Sequence, residues 1–281
     1  MKRIDLHVHT NVSDGTTSPA ETVELAKKAG LAAIAVTDHD TYLAYASAAL
    51  AGMDHGIEVV PGIEISTKYG VSVHILGYYI DSSSKAMRSV LDWVVDDRNN
   101  RNRKMAELMQ ADGIPITYEE MQERFGRVIG RPHFAEMLVT LGYADSINDA
   151  FDKYVEKGRK YYVPRTIMPI EKAVSLIAEA GGVPVLAHPF QYKKSDSELR
   201  ELIEHCMLYG LAGMECRYSG YGPDKVEYLE KLAAEYGLLK TGGSDFHGEH
   251  KKHISLGTGI NENLEVPYEF LEILKEKAGE M

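Results

Sequence analysis

The chain opens on a strict alternation: Ile4, Leu6 and Val8 are apolar, and Asp5, His7 and His9 between them are polar. Successive side chains of a strand point to opposite faces, so this pattern predicts a strand with one apolar face. Its other face carries a carboxylate and two imidazoles, whereas an ordinary half-buried strand turns Lys, Thr or Ser to water. Two neutral imidazoles one pleat apart suit a shared cation; the plain alternative is two surface histidines on an edge strand. Beyond Asp14, Ser18 reads as an N-cap with Pro19 and Glu21 behind it, opening a helix through Val23, Leu25, Ala26 and Ala29 that Gly30 stops. The run LAAIAVT, 31–37, is continuously apolar, as a strand buried on both faces requires, and ends in Asp38-His39-Asp40. A helical stretch over about 41–54 leads to a strand at 57–66, with Glu64 near its end, and a further strand at 71–79 carries His74. Strand alternating with helix is the signature of parallel βαβ units.

The rhythm then breaks. Residues 84–112 form one long helical pattern containing RNNRNRK at 98–104, and Thr117 with Glu120 opens a short helix as a capping box. Arg131-Pro132-His133 begins another that ends near Gly142, and 145–157 reads as one more helix. No strand signal crosses this stretch, so 98–164 is taken as a small all-helical insertion domain between barrel segments 1–97 and 165–281. The alternation resumes with a helix at 169–180, a strand at 183–187 closed by His188-Pro189, a helix at 195–209 and a strand at 211–218. A helix at 223–236 precedes a strand ending in Asp245-Phe246-His247; 254–260 reads as a last short strand and 267–277 as a closing helix.

At 281 residues the chain can bury a large core, and 44% hydrophobic with 26% charged residues is ordinary for a globular protein. No apolar run approaches the roughly 18 residues that span a bilayer, and the start lacks the pattern of a signal peptide. A cytoplasmic location is the default. Cys206 and Cys216 form no disulfide framework and no cysteine zinc pattern, and both read as small core residues. The net charge of −11 argues against a broad footprint on duplex nucleic acid but leaves room for an anionic substrate, since bound cations dominate local charge.

The informative feature is where the histidines fall. His7, His9, Asp14, His39, Glu64, His74, His188, Asp245 and His247 all lie at or just beyond strand ends, using six of the eleven histidines. In barrels of parallel strands such positions converge on one face. Mixed imidazole and carboxylate ligands suit zinc, manganese or iron rather than calcium or magnesium alone. Each residue has a bland reading: His39 or its neighbours as helix caps, His188 as a core histidine, His74 as surface. Glu64 is the hardest to explain blandly, because an unpaired carboxylate beside a buried strand costs several kcal/mol. His55, His205, His250 and His253 read as solvent-facing.

In order, DLHVHT, TDHD, PGIEIS, AHP and SDFH span residues 5 to 247 and resemble the PHP family of polymerase-associated and histidinol-phosphatase-type metallophosphoesterases. The resemblance implies an α/β fold, a distorted (β/α)7 barrel holding two or three divalent ions (Mn, Zn or Fe). It also implies a ligand assignment: His7, His9, Glu64 and Asp245 on one ion; Asp14, His39 and His247 on a second; Glu64, His74 and His188 on a third. Three such cations facing three carboxylates and a hydroxide would leave the site at about +2, which suits a phosphate ester. The implied reaction is hydrolysis by attack of a metal-bridging hydroxide, with Asp14, His39, Arg131 and His188 as catalytic residues. The RPHF motif in a helical insertion resembles the members of the family acting on nucleotides. That points to 3′,5′-bisphosphonucleotides or short RNA as substrate, contacted by Asp14, His39, Arg131 and His133, with Arg98 or Arg101 of the 98–104 charge run as a further phosphate contact. Arg131 could equally be a solvated or ion-paired arginine, the 98–104 charge run a wet helix face, and Tyr162 a base-stacking or a packing residue. The rival functions are a histidinol-phosphate phosphatase and a non-catalytic, metal-stabilised module.

Overall fold

The computed structural model describes residues 2–126 and 128–279. β1 (Arg3–Val8), α1 (Pro19–Lys28), β2 (Leu31–Val36), α2 (Tyr45–His55), β3 (Glu58–Tyr69) and β4 (Val71–Tyr78) come first. They lead into α3 (Lys85–Ala111), α4 (Tyr118–Phe125), α5 (Arg131–Thr140) and the short α6 (Ile147–Ala150). β5 (Met168–Pro169), α7 (Ile170–Glu179), β6 (Val183–Leu186), α8 (Asp196–Met207), β7 (Gly213–Tyr218), α9 (Pro223–Glu235), β8 (Leu239–Gly243) and α10 (Glu269–Gly279) complete the chain. No helix among the described residues is long and apolar enough to cross a membrane.

Seven strands pair in the order β1-β2-β3-β4-β6-β7-β8, and β5 adds a two-residue pairing to β3. The ring nearly closes where the chain beyond β8 meets β1: Asp245 N–H donates to His7 O and His9 N–H to Phe246 O, both at 2.9 Å. Gly243 permits that approach, since a Cβ there would lie 2.4 Å from the His7 backbone nitrogen. Asp5, fully buried, ties the same seam by accepting from Ser244 N (2.9 Å), Ser244 Oγ (2.5 Å) and Gly257 N (2.8 Å).

One strand departs from the parallel pattern. β3 and β4 are joined across Gly70 alone, at φ 71°, and pair antiparallel; β4 also pairs antiparallel with β6. A parallel crossover needs about a dozen residues, so a one-residue link allows only a hairpin. His74 therefore stands in the first half of a reversed strand, not at a strand's C-terminal end, and the reversal is what brings it to the same barrel mouth. Two further expectations change. Residues 254–260 do not form a strand: Gly257 and Gly259 adopt φ 73° and break the pleat, leaving one bridge between Ser255 and Gly259. The helix over 145–157 is shorter, α6 passing into a wider π turn at Phe151–Val155.

Helices cover the barrel where the sequence is amphipathic. Ser18 and Ser195 close capping boxes with Glu21 and Glu198 at the starts of α1 and α8. α3 runs unbroken past residue 98. Its first half buries Met87, Leu91 and Val94 in the barrel's outer core, and its second half buries Met105 and Met109 with Phe134 and Leu138 of α5 in a separate helical core. A single helix thus fixes the helical layer over the barrel mouth.

Candidate metal centre and adjoining cavities

Each donor reaches the barrel mouth for a local reason. The polar face of β1 aims His7 and His9 inward. The turn after it is held by Asp38, which accepts from Thr10 N (2.8 Å), Thr10 Oγ1 (2.7 Å) and Ser13 Oγ (2.5 Å), and this places Asp14 beside them. His188 and Asp245, just past β6 and β8, sit at φ 24° and 56°, and Asp40, after β2, also at 56°. Left-handed backbone at non-glycine residues costs on the order of 1 kcal/mol each, and here it turns side chains into the mouth where the strands stop.

All nine side chains singled out in the sequence meet there. Glu64, 1% exposed, is the hub. Its Oε2 lies 3.4 Å from His7 Nε2, 3.2 Å from His9 Nε2 and 3.0 Å from His39 Nδ1, and its Oε1 lies 2.8 Å from His74 Nδ1 and 3.0 Å from His188 Nε2. Asp245 Oδ1 faces His9 and His247 at 3.4 Å, while its Oδ2 is held by Tyr218 Oη (2.8 Å) and Lys251 Nζ (2.6 Å). Asp14 Oδ1 stands 3.3 Å from His247 Nε2. The atoms fall into four overlapping groups, each within 4.8 Å: His9, Asp14, His39 and His247; His7, His9 and Asp245; His7, Glu64 and His188; His39, Glu64 and His74. The grouping differs in detail from the set implied by resemblance, since His9 also joins Asp14, and His39 also joins Glu64 and His74.

These residues fit divalent cations. His7 Nε2 and His9 Nε2 face each other at 3.2 Å, and Nδ1 of both His9 and His188 is buried without a hydrogen-bond partner. Buried polar atoms are nearly always paired, so converging, unpaired imidazole nitrogens around carboxylates are a donor set lacking its acceptor. Burial pushes His39 down to about 3, keeping its ring neutral and able to ligate. Burial opposes the charging of His9, but the Asp245 and Glu64 carboxylates raise it to about 9. Glu64 and Asp14 are held well below the usual carboxylate range: burial works against them, and the surrounding imidazoles outweigh it.

Two cavities open from this cluster. The smaller, about 230 Å³, has Asp14, His39 and His74 at one side and Arg98, Arg101, Arg131 and Arg165 around the other. The larger, about 990 Å³, shares Asp14, His39, His74 and Arg131 and extends past His188, Asp245, His247 and Lys251. Arg98 is ion-paired with Asp40, Arg165 lies 3.7 Å from the same carboxylate, and Arg131 reaches Glu156 at 3.1 Å. Arg101 differs: it is 6% exposed, its Nε has no partner, and among the described residues no carboxylate lies within ion-pair distance. Burial first, then Arg98 and Arg165, lowers it to about 9.

Two expectations do not hold. His133 lines neither cavity; it is buried, and its Nδ1 accepts the Gly130 N–H at 2.9 Å, capping α5. His250 is not solvent-facing but bridges Asp14 O and Glu136, both at 2.7 Å. The residues without a clear mark in the sequence are mainly supports. Glu215, fully buried, accepts from His7 Nδ1 (2.9 Å) and from His188 N–H (2.7 Å), and its one signal is a carboxylate inside the apolar LAGMECRY run. Asp38, Asp40, Arg165 and Lys251 give no periodic signal.

A nearly closed barrel whose mouth gathers imidazoles and carboxylates from both barrel segments of the chain defines a metal-dependent hydrolase architecture. The sequence profile of the PHP domain matches residues 5–209, and the chain belongs to that family. It is 36% identical to the 5′-3′ exoribonuclease Rnm of Escherichia coli, over 86% of this chain and 84% of that one. It is 33% identical to the 3′,5′-nucleoside bisphosphate phosphatase of Chromobacterium violaceum, over 88% of each. A solved Bifidobacterium adolescentis structure assigned as a metal-dependent phosphoesterase superposes with a TM-score of 0.86 at 33% identity, covering 98% of this chain and 96% of the other.

Proposed function

We propose that this protein is a cytoplasmic metal-dependent phosphoesterase acting on nucleotides that carry two phosphoryl groups in reach of one site. Those are a 3′,5′-bisphosphonucleotide, from which it releases phosphate, or the 5′-phosphorylated end of a short RNA. His7, His9, Asp14, His39, Glu64, His74, His188, Asp245 and His247 would hold two or three divalent ions such as Mn, Zn or Fe. Such ions polarise a phosphoryl group and lower the pKa of water. The named relatives act on substrates of this class.

The observation that carries the substrate reading is Arg101. A buried guanidinium with no anionic partner is costly in the free protein and ready for one that arrives. Its cavity shares Asp14, His39 and His74 with the donor cluster, so a ligand with one phosphate on the donors places a second group among Arg101, Arg131 and Arg165. Arg131, at the first turn of α5, lines both cavities and meets charge on either side. Histidinol phosphate would instead bring a cationic amine toward four guanidiniums. The acidic chain offers no broad surface for duplex DNA, and buried, unpaired Cys206 and Cys216 suit a reducing compartment.

The test compares phosphate release from adenosine 3′,5′-bisphosphate and histidinol phosphate, and mononucleotide release from a 5′-phosphorylated trinucleotide, in the native protein and Arg101→Met. Removing a charge-assisted hydrogen bond to the second phosphate should raise KM for the nucleotides about 10- to 100-fold. Preference for histidinol phosphate, or an unchanged KM in the variant, would reject the reading.

A further inference from the structure

α5 carries two residues with separate duties. Arg131, at its start, lines the substrate cavities; Glu136, five residues on and ~140° around the helix, points elsewhere. Glu136 Oε2 lies 2.7 Å from His250 Nε2, and its Oε1 accepts from Arg124 Nη2 at 2.7 Å. The other nitrogen of His250, Nδ1, lies 2.7 Å from the main-chain carbonyl of Asp14. Both ring nitrogens thus face acceptors, a main-chain carbonyl on the barrel side and a carboxylate on α5, so the ring is held from two sides. Charge-assisted hydrogen bonds of this kind fix distance as well as adding energy. His133, whose Nδ1 caps α5, packs edge-on against His250 at 5.9 Å between ring centres.

Among the described residues this is the one side-chain hydrogen bond between α5 and the barrel. Other polar ties near this junction, Arg98 and Arg165 to Asp40 and Thr166 N–H to Asp97, belong to α3 and to the returning chain. On the barrel side the bridge ends on the backbone of Asp14, whose side chain is in the donor cluster. We infer that His250 is a positioning residue, a two-ended clamp that sets Arg131 on α5 at a fixed distance from the Asp14 turn, and so sets the spacing between the two phosphate positions. It rests on the phosphoesterase reading above and adds a specificity device that acts through α5; His250 borders the larger cavity, whereas Glu136 lines neither, so the Glu136 variant isolates the clamp.

A clamp of this kind matters for a substrate that must reach both positions and not for one that occupies the donors alone. The experiment measures kcat, KM and bound metal for native, His250→Gln, Glu136→Gln and the double variant. The substrates are adenosine 3′,5′-bisphosphate and p-nitrophenyl phosphate. Misplacing α5 should raise KM for the bisphosphate about tenfold in each single variant, with aryl phosphate turnover and metal content unchanged. The double variant should be no worse than either single one, because both break the same link. Parallel losses on both substrates together with lost metal would make His250 a mere support of the Asp14 turn and overturn the inference; so would an unchanged KM. A native protein inactive on both substrates would instead defeat the phosphoesterase reading itself.

Discussion

Glu64 divides its two oxygens between two sets of imidazoles, Oε2 toward His7, His9 and His39 and Oε1 toward His74 and His188. A carboxylate used this way can serve neighbouring cations at once, which is why its place between buried Ile63 and Ile65 carries more information than any single histidine. Asp245 shows the complementary arrangement: Tyr218 and Lys251 occupy one oxygen and leave the other for the cluster. Glu215 acts one step further out. Its hydrogen bond fixes the His7 ring and leaves Nε2 as the inward nitrogen, while its second oxygen anchors the His188 backbone. Outer partners of ligating histidines typically contribute 10- to 100-fold in metal affinity. Glu215→Gln is therefore expected to weaken binding of the ion that His7 would hold by about that factor, read by competition with a chromophoric chelator. Unaltered affinity would show that Glu215 serves only the fold.

At the level of elements, the seam between β1 and the end of β8 decides whether the donors meet. His7 and His9 come from one side of it, and Asp245 and His247 from the other. Gly243 allows the strands to touch, and Asp5 laces them together. Gly243→Ala puts a methyl 2.4 Å from backbone, a clash that no side-chain rotation relieves. Overpacking typically costs about 1–3 kcal/mol, so the variant should show a clearly lowered urea midpoint together with lost metal. A midpoint equal to the native one would mean that the seam is looser than described. The hairpin of β3 and β4 was legible in principle, since one glycine cannot cover a crossover. Yet strand periodicity reports only which face is apolar and is silent on direction, so β4 reads the same either way.

Across the whole molecule, the barrel order and the nine converging donors were legible because both leave local marks: apolar runs, caps, and polar residues where buried strands end. Arg101 was visible only as part of a charge run, because the local helical pattern is the same for a buried and a wet arginine; which one it is depends on the layer packed above. His250 and His133 were misplaced for the same reason. Their roles are set by contacts between residues more than a hundred positions apart or by a cap whose acceptor is an imidazole, and neither has a periodic signature. The division of α3 between two cores is likewise a tertiary property that one uninterrupted helical pattern conceals.

That the clustered side chains act through divalent metal on phosphate esters of nucleotides is tested most directly by returning metal to chelator-stripped protein. Phosphate release from adenosine 3′,5′-bisphosphate is followed as Mn²⁺ is added in stoichiometric steps. The predicted result is a folded, inactive protein at zero metal, with turnover that rises with bound Mn²⁺ and levels off by two or three ions per chain. Full turnover in the stripped protein, or saturation with Mn²⁺ and no turnover of any phosphorylated nucleotide, would contradict it.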